Sequence, residues 1–230
     1  DEQFVEFEVK LKRDFPIRRL SDKNFTVKLQ AQVESPTVPA NTTAEKTVSL
    51  ATLENPVAGK ATVDARGYWR DAASGILNSG PYPPQVNTPT QYTIHWVVKN
   101  YATDLGEVQV SGYLQSGARF TGKVKSNIAT QPTHDPTSGL VTWNIGNLQA
   151  TKGVIGVPAE AIFQIEVTPA VNQIRQAVQL LAETKLQARD LFTNLTLQAS
   201  DEPLTTDFPD DATVAGVSDN IPACPVHGAH

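Results

Sequence analysis

The sequence predicts an all-β protein made of antiparallel β-sandwiches, two of them in tandem, and three observations carry that expectation. Tyr92, Ile94, Trp96 and Val98 alternate along one short stretch and so share one face of a strand. After the polar turn at residues 100–106, Val108, Val110 and Leu114 point one way while Gln109, Ser111 and Tyr113 point the other. Two half-buried strands therefore adjoin in sequence. The chain has 230 residues, about twice the ~100 of one sandwich of this kind.

Taken in order, residues 1–80 read as a first, shorter unit with strands at 3–12, 24–34, 46–53 and 60–66. In the first of these, Val5, Phe7, Val9 and Leu11 form an apolar face and Glu6, Glu8, Lys10 and Lys12 a solvated one. The unit looks like half a domain. Residues 25–30 echo 163–168, and residues 61–71 echo 184–194, in the same order, as if the first unit were the C-terminal half of a repeat whose full version follows. A half-sandwich leaves backbone groups and an apolar groove open. The N-terminal strand is a candidate plug, either closing its own sheet or adding to the open edge of a neighbouring subunit.

Pro81, Pro83, Pro84 and Pro89 mark residues 81–90 as a stiff linker, because proline fixes φ and resists collapse. Residues 91–206 then read as a full sandwich of seven strands, at 91–100, 107–114, 118–124, 140–145, 161–168, 183–189 and 195–199. Trp143 and Ile145 alternate with Thr142 and Asn144, and Phe163, Ile165 and Val167 with Gln164, Glu166 and Thr168, the pattern of sheets with one wet face. Residues 170–183 stay ambiguous, since Val171, Ile174, Val178 and Leu181 also fit a helical spacing. Residues 207–230 read as a tail, first acidic and then carrying cysteine and histidine.

Composition narrows the function classes. Charged residues make up 19% and the net charge is −5, so no cationic surface suits a nucleic-acid backbone. Apolar runs of a few residues fall far short of the ~20 that span a bilayer, so insertion of this segment into a membrane is not expected. The absence of methionine suggests a processed segment whose secretory leader, if it had one, has been removed. One cysteine leaves no partner for a disulfide within the chain. Asn24, Asn41 and Asn194 begin glycosylation triplets, a pattern that also arises by chance in a chain rich in threonine and asparagine.

The usual signatures of catalysis are missing: no Gly-x-Ser-x-Gly elbow, no His-Glu-x-x-His, no phosphate-binding glycine loop. A non-enzymatic role is expected. His95 reads as a surface residue on the polar side of its strand, and His134 with Asp135 as part of a solvated turn. Cys224, His227 and His230 form a Cys-x-x-His-x-x-His cluster whose thiolate and imidazoles suit Zn²⁺ or copper. An ordinary tail, or a disulfide between subunits through Cys224, are the alternatives. Asp207, Asp210 and Asp211, within an acidic stretch lacking lysine and arginine, are candidate Ca²⁺ ligands, although their spacing matches no calcium loop.

Several stretches also resemble a family. The Tyr-Thr-Ile-x-Trp strand at 92–96, Asn100 at its end, the turn at 114–122, the Val-Thr-Trp-Asn-Ile-Gly-Asn-Leu run at 141–148 and residues 161–168 resemble the Ig-like conserved-repeat domains of bacterial cell-surface proteins. Versions from uncultivated bacteria are especially similar, and the resemblance covers roughly residues 60–214. It implies Ig-like antiparallel β-sandwich structure over that span; with the internal echoes, the expectation is two Ig-like antiparallel β-sandwich domains in tandem, the first incomplete and open to completion by a donated strand or by its own N-terminal strand. It also implies an extracellular or cell-surface location, and the proline-stiffened link and open strand edges add the expectation of a structural or adhesive role, as a subunit of a layer, stalk or filament that self-associates through strand edges. A secreted metal-binding module using the Cys224 cluster is one alternative. A glycan- or protein-binding adhesin module contacting its ligand through Tyr68, Trp69, Tyr101 and Tyr113 is another.

Overall fold

The computed structural model describes residues 6, 8, 10, 12, 14–37, 46–218 and 220–222. Among these, every regular element apart from two 3₁₀ turns is a strand. Strands β1 (Thr26–Ser35) and β2 (Thr47–Pro56) pair only with each other, in an antiparallel ribbon. The remaining strands are β3 (Ala61–Tyr68), β4 (Thr90–Asn100), β5 (Leu105–Tyr113), β6 (Ala118–Ser126), β7 (Thr133–Asp135), β8 (Leu140–Leu148), β9 (Ala159–Val167), β10 (Gln179–Leu181), β11 (Thr184–Asp190), β12 (Thr196–Asp201) and β13 (Leu204–Thr205). They form an antiparallel sandwich of a four-stranded sheet, β3-β4-β9-β6, and a five-stranded sheet, β12-β11-β5-β8-β7, with β10 and β13 paired at the margin.

Alternation explains the core. Tyr92, Ile94, Trp96 and Val98 of β4 face Val108 and Val110 of β5, Val141 and Trp143 of β8, and Leu186 of β11, all fully or almost fully buried. Trp96 meets Phe163 edge-on at 4.9 Å. Trp143 is anchored by its indole N–H, which donates to the Thr130 carbonyl at 3.2 Å and to the Thr130 hydroxyl at 3.1 Å. Each such side chain contributes roughly 1.5–3 kcal/mol on leaving water, so this layer dominates the stability of the sandwich.

The strand expected to end the first unit belongs to the sandwich instead. β3 pairs along its whole length with β4, and Ala61, Val63 and Ala65 enter the common core. Small residues in that alternation suit a strand packed closely beneath the C-terminal segment. The proline-rich stretch is accordingly the β3–β4 connection rather than a spacer between bodies: the Tyr82 hydroxyl donates to the Thr206 carbonyl at 3.0 Å, and Tyr82 lies 5.6 Å from the Trp69 ring. The segment after residue 207 also differs from a solvated tail, because Phe208, Val214 and Ile221 are buried in the core. Residues 170–183 form a 3₁₀ turn, Val171–Gln173, a loop and β10.

Candidate functional site

The ribbon carries the most unusual surface. Direct cross-strand partners lie on the same face, so the pairs Leu29–Leu53 and Ala31–Ala51, together with Val27 and Val33, make one apolar face. Leu53 is 56% exposed and Val33 65% exposed. The opposite face is mixed: Lys28 bonds Glu54 at 2.5 Å and Lys46 bonds Glu34 at 2.6 Å, but Val48 (49% exposed) and Leu50 (55% exposed) also lie on it. A two-stranded ribbon is marginally stable alone and normally packs its apolar side on something. Each strand also has one outer edge without a strand partner among the described residues.

The ribbon's root is fastened to the sandwich. The Asn24 N–H donates to the Ala102 carbonyl at 2.8 Å, and Lys23 bonds Asp104 at 2.7 Å. Phe15 stacks on Phe25 at 5.8 Å. Beside them Phe15, Pro16, Phe25, Val27, Val57 and Lys12 line a cleft of about 400 Å³. Val27 belongs to both the cleft and the apolar face, so the two surfaces are continuous.

The residues singled out from the sequence scatter. Val5, Phe7, Val9 and Leu11 lie outside the described residues, as do Cys224, His227 and His230. Asp207 and Asp210 are exposed, whereas Asp211 is 3% exposed and serves as a backbone anchor. It accepts from the N–H groups of Trp69 (2.8 Å), Arg70 (3.1 Å) and Thr213 (2.9 Å), and from the Thr213 hydroxyl (2.6 Å). Burial alone would raise its pKa, but these donors outweigh burial and hold it below the ordinary aspartate value. No three His, Cys, Asp or Glu side chains come together as a metal-binding group among the described residues.

His95 is buried, not superficial. Residues 71–78 fold over the outer face of β4 and β9, placing the His95 ring nitrogens 2.8 Å from Asp71 Oδ2 and 2.8 Å from Glu160 Oε1. Asn78 joins Thr93 and Gln164 in the same cover. Asp71 is held below its usual pKa despite burial, chiefly by the His95 and Ser74 hydrogen bonds. Strand alternation alone could not reveal this cover, since it comes from a loop. His134 sits in β7 and stacks on Phe120 at 5.0 Å. Of the aromatics considered as ligand contacts, Tyr113 is 52% exposed, Trp69 is covered by Arg70 at 3.9 Å, Tyr101 by Lys60 at 5.1 Å, and Tyr68 packs against His95 at 4.8 Å.

No family model matches the chain, and no curated protein does. Among solved structures it is similar to BcpA, the major pilin subunit of Bacillus cereus, with a TM-score of 0.38 and 14% identity over 67% of this chain and 49% of that one. It is similar to the full-length major pilin SpaD of Corynebacterium diphtheriae, with a TM-score of 0.38 and 11% identity over 63% of this chain and 35% of that one. BslA, a bacterial hydrophobin, matches with a TM-score of 0.34 and 11% identity over 66% of this chain and 96% of that one. The chain thus spans between 35% and 55% of the length of the pilin structures it matches. No helix among the described residues is long and apolar enough to cross a membrane.

Proposed function

We propose that this chain is an extracellular structural segment, a subunit of a cell-surface layer, stalk or filament that self-associates through strand edges. One observation carries the reading: among the described residues the ribbon pairs with no other strand, and it has an exposed apolar face and open outer edges. Open edges are templates for a further strand, and proteins that do not use them shield them with charge or bulges. The N-terminal segment has the matching pattern. Val5, Phe7, Val9 and Leu11 alternate with charged residues over a length similar to the 10 residues of β1. Added to the ribbon of a neighbouring copy, it would extend the apolar face by one strand and leave Glu6, Glu8, Lys10 and Lys12 in water.

Electron microscopy of the intact chain and of a form lacking residues 1–12 tests this reading. Donation between copies gives fibres or extended oligomers for the intact chain and a folded, unassembled truncated form. A truncation that merely destabilises a monomer shows that the strand serves its own domain.

A further inference from the structure

The solvent face of the five-stranded sheet has an ordered chemistry that assembly through the ribbon does not use. Gln198 of β12 pairs with Gln187 of β11, Gln187 with Gln109 of β5, and Gln109 with Asn144 of β8. Four carboxamides therefore stand abreast on four successive strands, all exposed. Strands lie about 4.8 Å apart, so the row spans roughly 14 Å with one amide per step. Beside it runs a row of Ser200, Lys185, Ser111 and Thr142. Two shallow grooves, of about 420 Å³ and about 360 Å³, meet at Gln187, which lines both.

From this register of amides we propose that the face binds an extended, neutral, β-linked glycan laid across the strands, with Gln198, Gln187, Gln109 and Asn144 as its hydrogen-bonding row. The chemistry selects that class of ligand. A carboxamide donates and accepts at once, so each can meet a sugar hydroxyl in either sense. Gln109 already donates to Asn144 Oδ1 at 2.7 Å, which orients the pair and leaves the Gln109 oxygen and Asn144 amide hydrogens for a ligand. The strand spacing is close to the rise of one pyranose in an extended β-1,4 chain, so successive sugars would meet successive amides in step.

Charge argues against an anionic ligand. The cations on this face each have a carboxylate beside them, Lys185 with Glu183 at 3.5 Å and Arg189 with Glu107 at 3.6 Å. A protein partner would need apolar anchors at its centre, and the row has none. Tyr113 shares this face four residues along β5 from Gln109 and is 52% exposed, offering a ring for stacking at one margin.

The test is calorimetric titration of the intact chain with cellohexaose and chitohexaose as neutral probes and hexagalacturonate as the anionic control. Binding of at least one neutral probe is expected with a dissociation constant below about 1 mM. Gln187→Ala should weaken it about tenfold with an unchanged melting temperature, and Gln187→Glu at least as much. Gln109→Ala provides the same reading from a second strand. The proposal is overturned if neither neutral probe binds by about 5 mM, if both alanine variants bind like the parent, or if hexagalacturonate binds more tightly than the neutral probes.

Discussion

The ring of Phe208 occupies the space that a side chain at Gly67 would need: a Cβ there would lie 2.4 Å from Phe208 Cε1 and 2.6 Å from Cδ1. β3 is thus shaped for a C-terminal segment more than a hundred residues away in sequence, and Phe208 in turn packs 5.1 Å from the Tyr92 ring. Phe208→Ala should cost about 3–5 kcal/mol by removing a buried ring, and Gly67→Ala about 1–3 kcal/mol by overpacking. Because both changes act at one contact, the double variant should cost less than the sum. Urea denaturation of the three variants measures each term.

Buried aspartates should contribute to the acid limit of stability. Burial would raise Asp190, yet the N–H groups of Gly59, Phe192 and Thr193 lower it below its ordinary value, as the donors around Asp211 do there. A carboxyl with a depressed pKa in the fold stabilises fully above its unfolded value, near 3.9, and loses that contribution as pH falls through the folded value. The melting temperature should therefore stay level from about pH 7 to pH 5 and fall below about pH 4. Asp190→Asn and Asp211→Asn should each lower it at pH 7 and make the acid fall shallower, as a thermal melt series across that range would record.

Asn100 joins three backbone segments. Its two amide hydrogens are shared among the carbonyls of Thr103 at 2.7 Å, Leu148 at 3.1 Å and Gln149 at 2.9 Å, in a fully buried position. Asn100→Ala should cost about 2–4 kcal/mol, since several buried carbonyls lose their donor. Asn100→Asp should be worse at neutral pH, because it sets a carboxylate against those oxygens. Burial raises that carboxyl's pKa in the fold, so the variant's deficit should shrink as pH falls, opposite in sign to the aspartates above. Denaturant midpoints at pH 7 and pH 5 separate the two substitutions.

Period-two patterning made the sandwich legible. The seven strands expected between residues 91 and 199 correspond to β4, β5, β6, β8, β9, β11 and β12, because each sets an apolar row against a polar one. Three-residue β7 and β10 and two-residue β13 are too short to show a period, and they exist through their neighbours' hydrogen bonds. The sheet to which β3 belongs was not readable, since alternation fixes a face and not a partner. Local pattern misplaces His95 and Asp211 for a related reason: a loop over an outer face and a C-terminal segment over a sheet end bury polar residues that it marks as wet. The exposed amide row was visible residue by residue, but its alignment depends on register across four strands.

The joining role proposed for the ribbon is tested most directly by sedimentation velocity of the parent chain against a Leu29→Lys/Leu53→Lys variant. These two residues face each other across β1 and β2, away from the sandwich core, so the variant should keep the sandwich's melting transition. The parent should sediment as concentration-dependent oligomers at about 100 µM while the variant stays monomeric. A parent that remains a single monomeric species at that concentration, or a variant that assembles equally well, would contradict it.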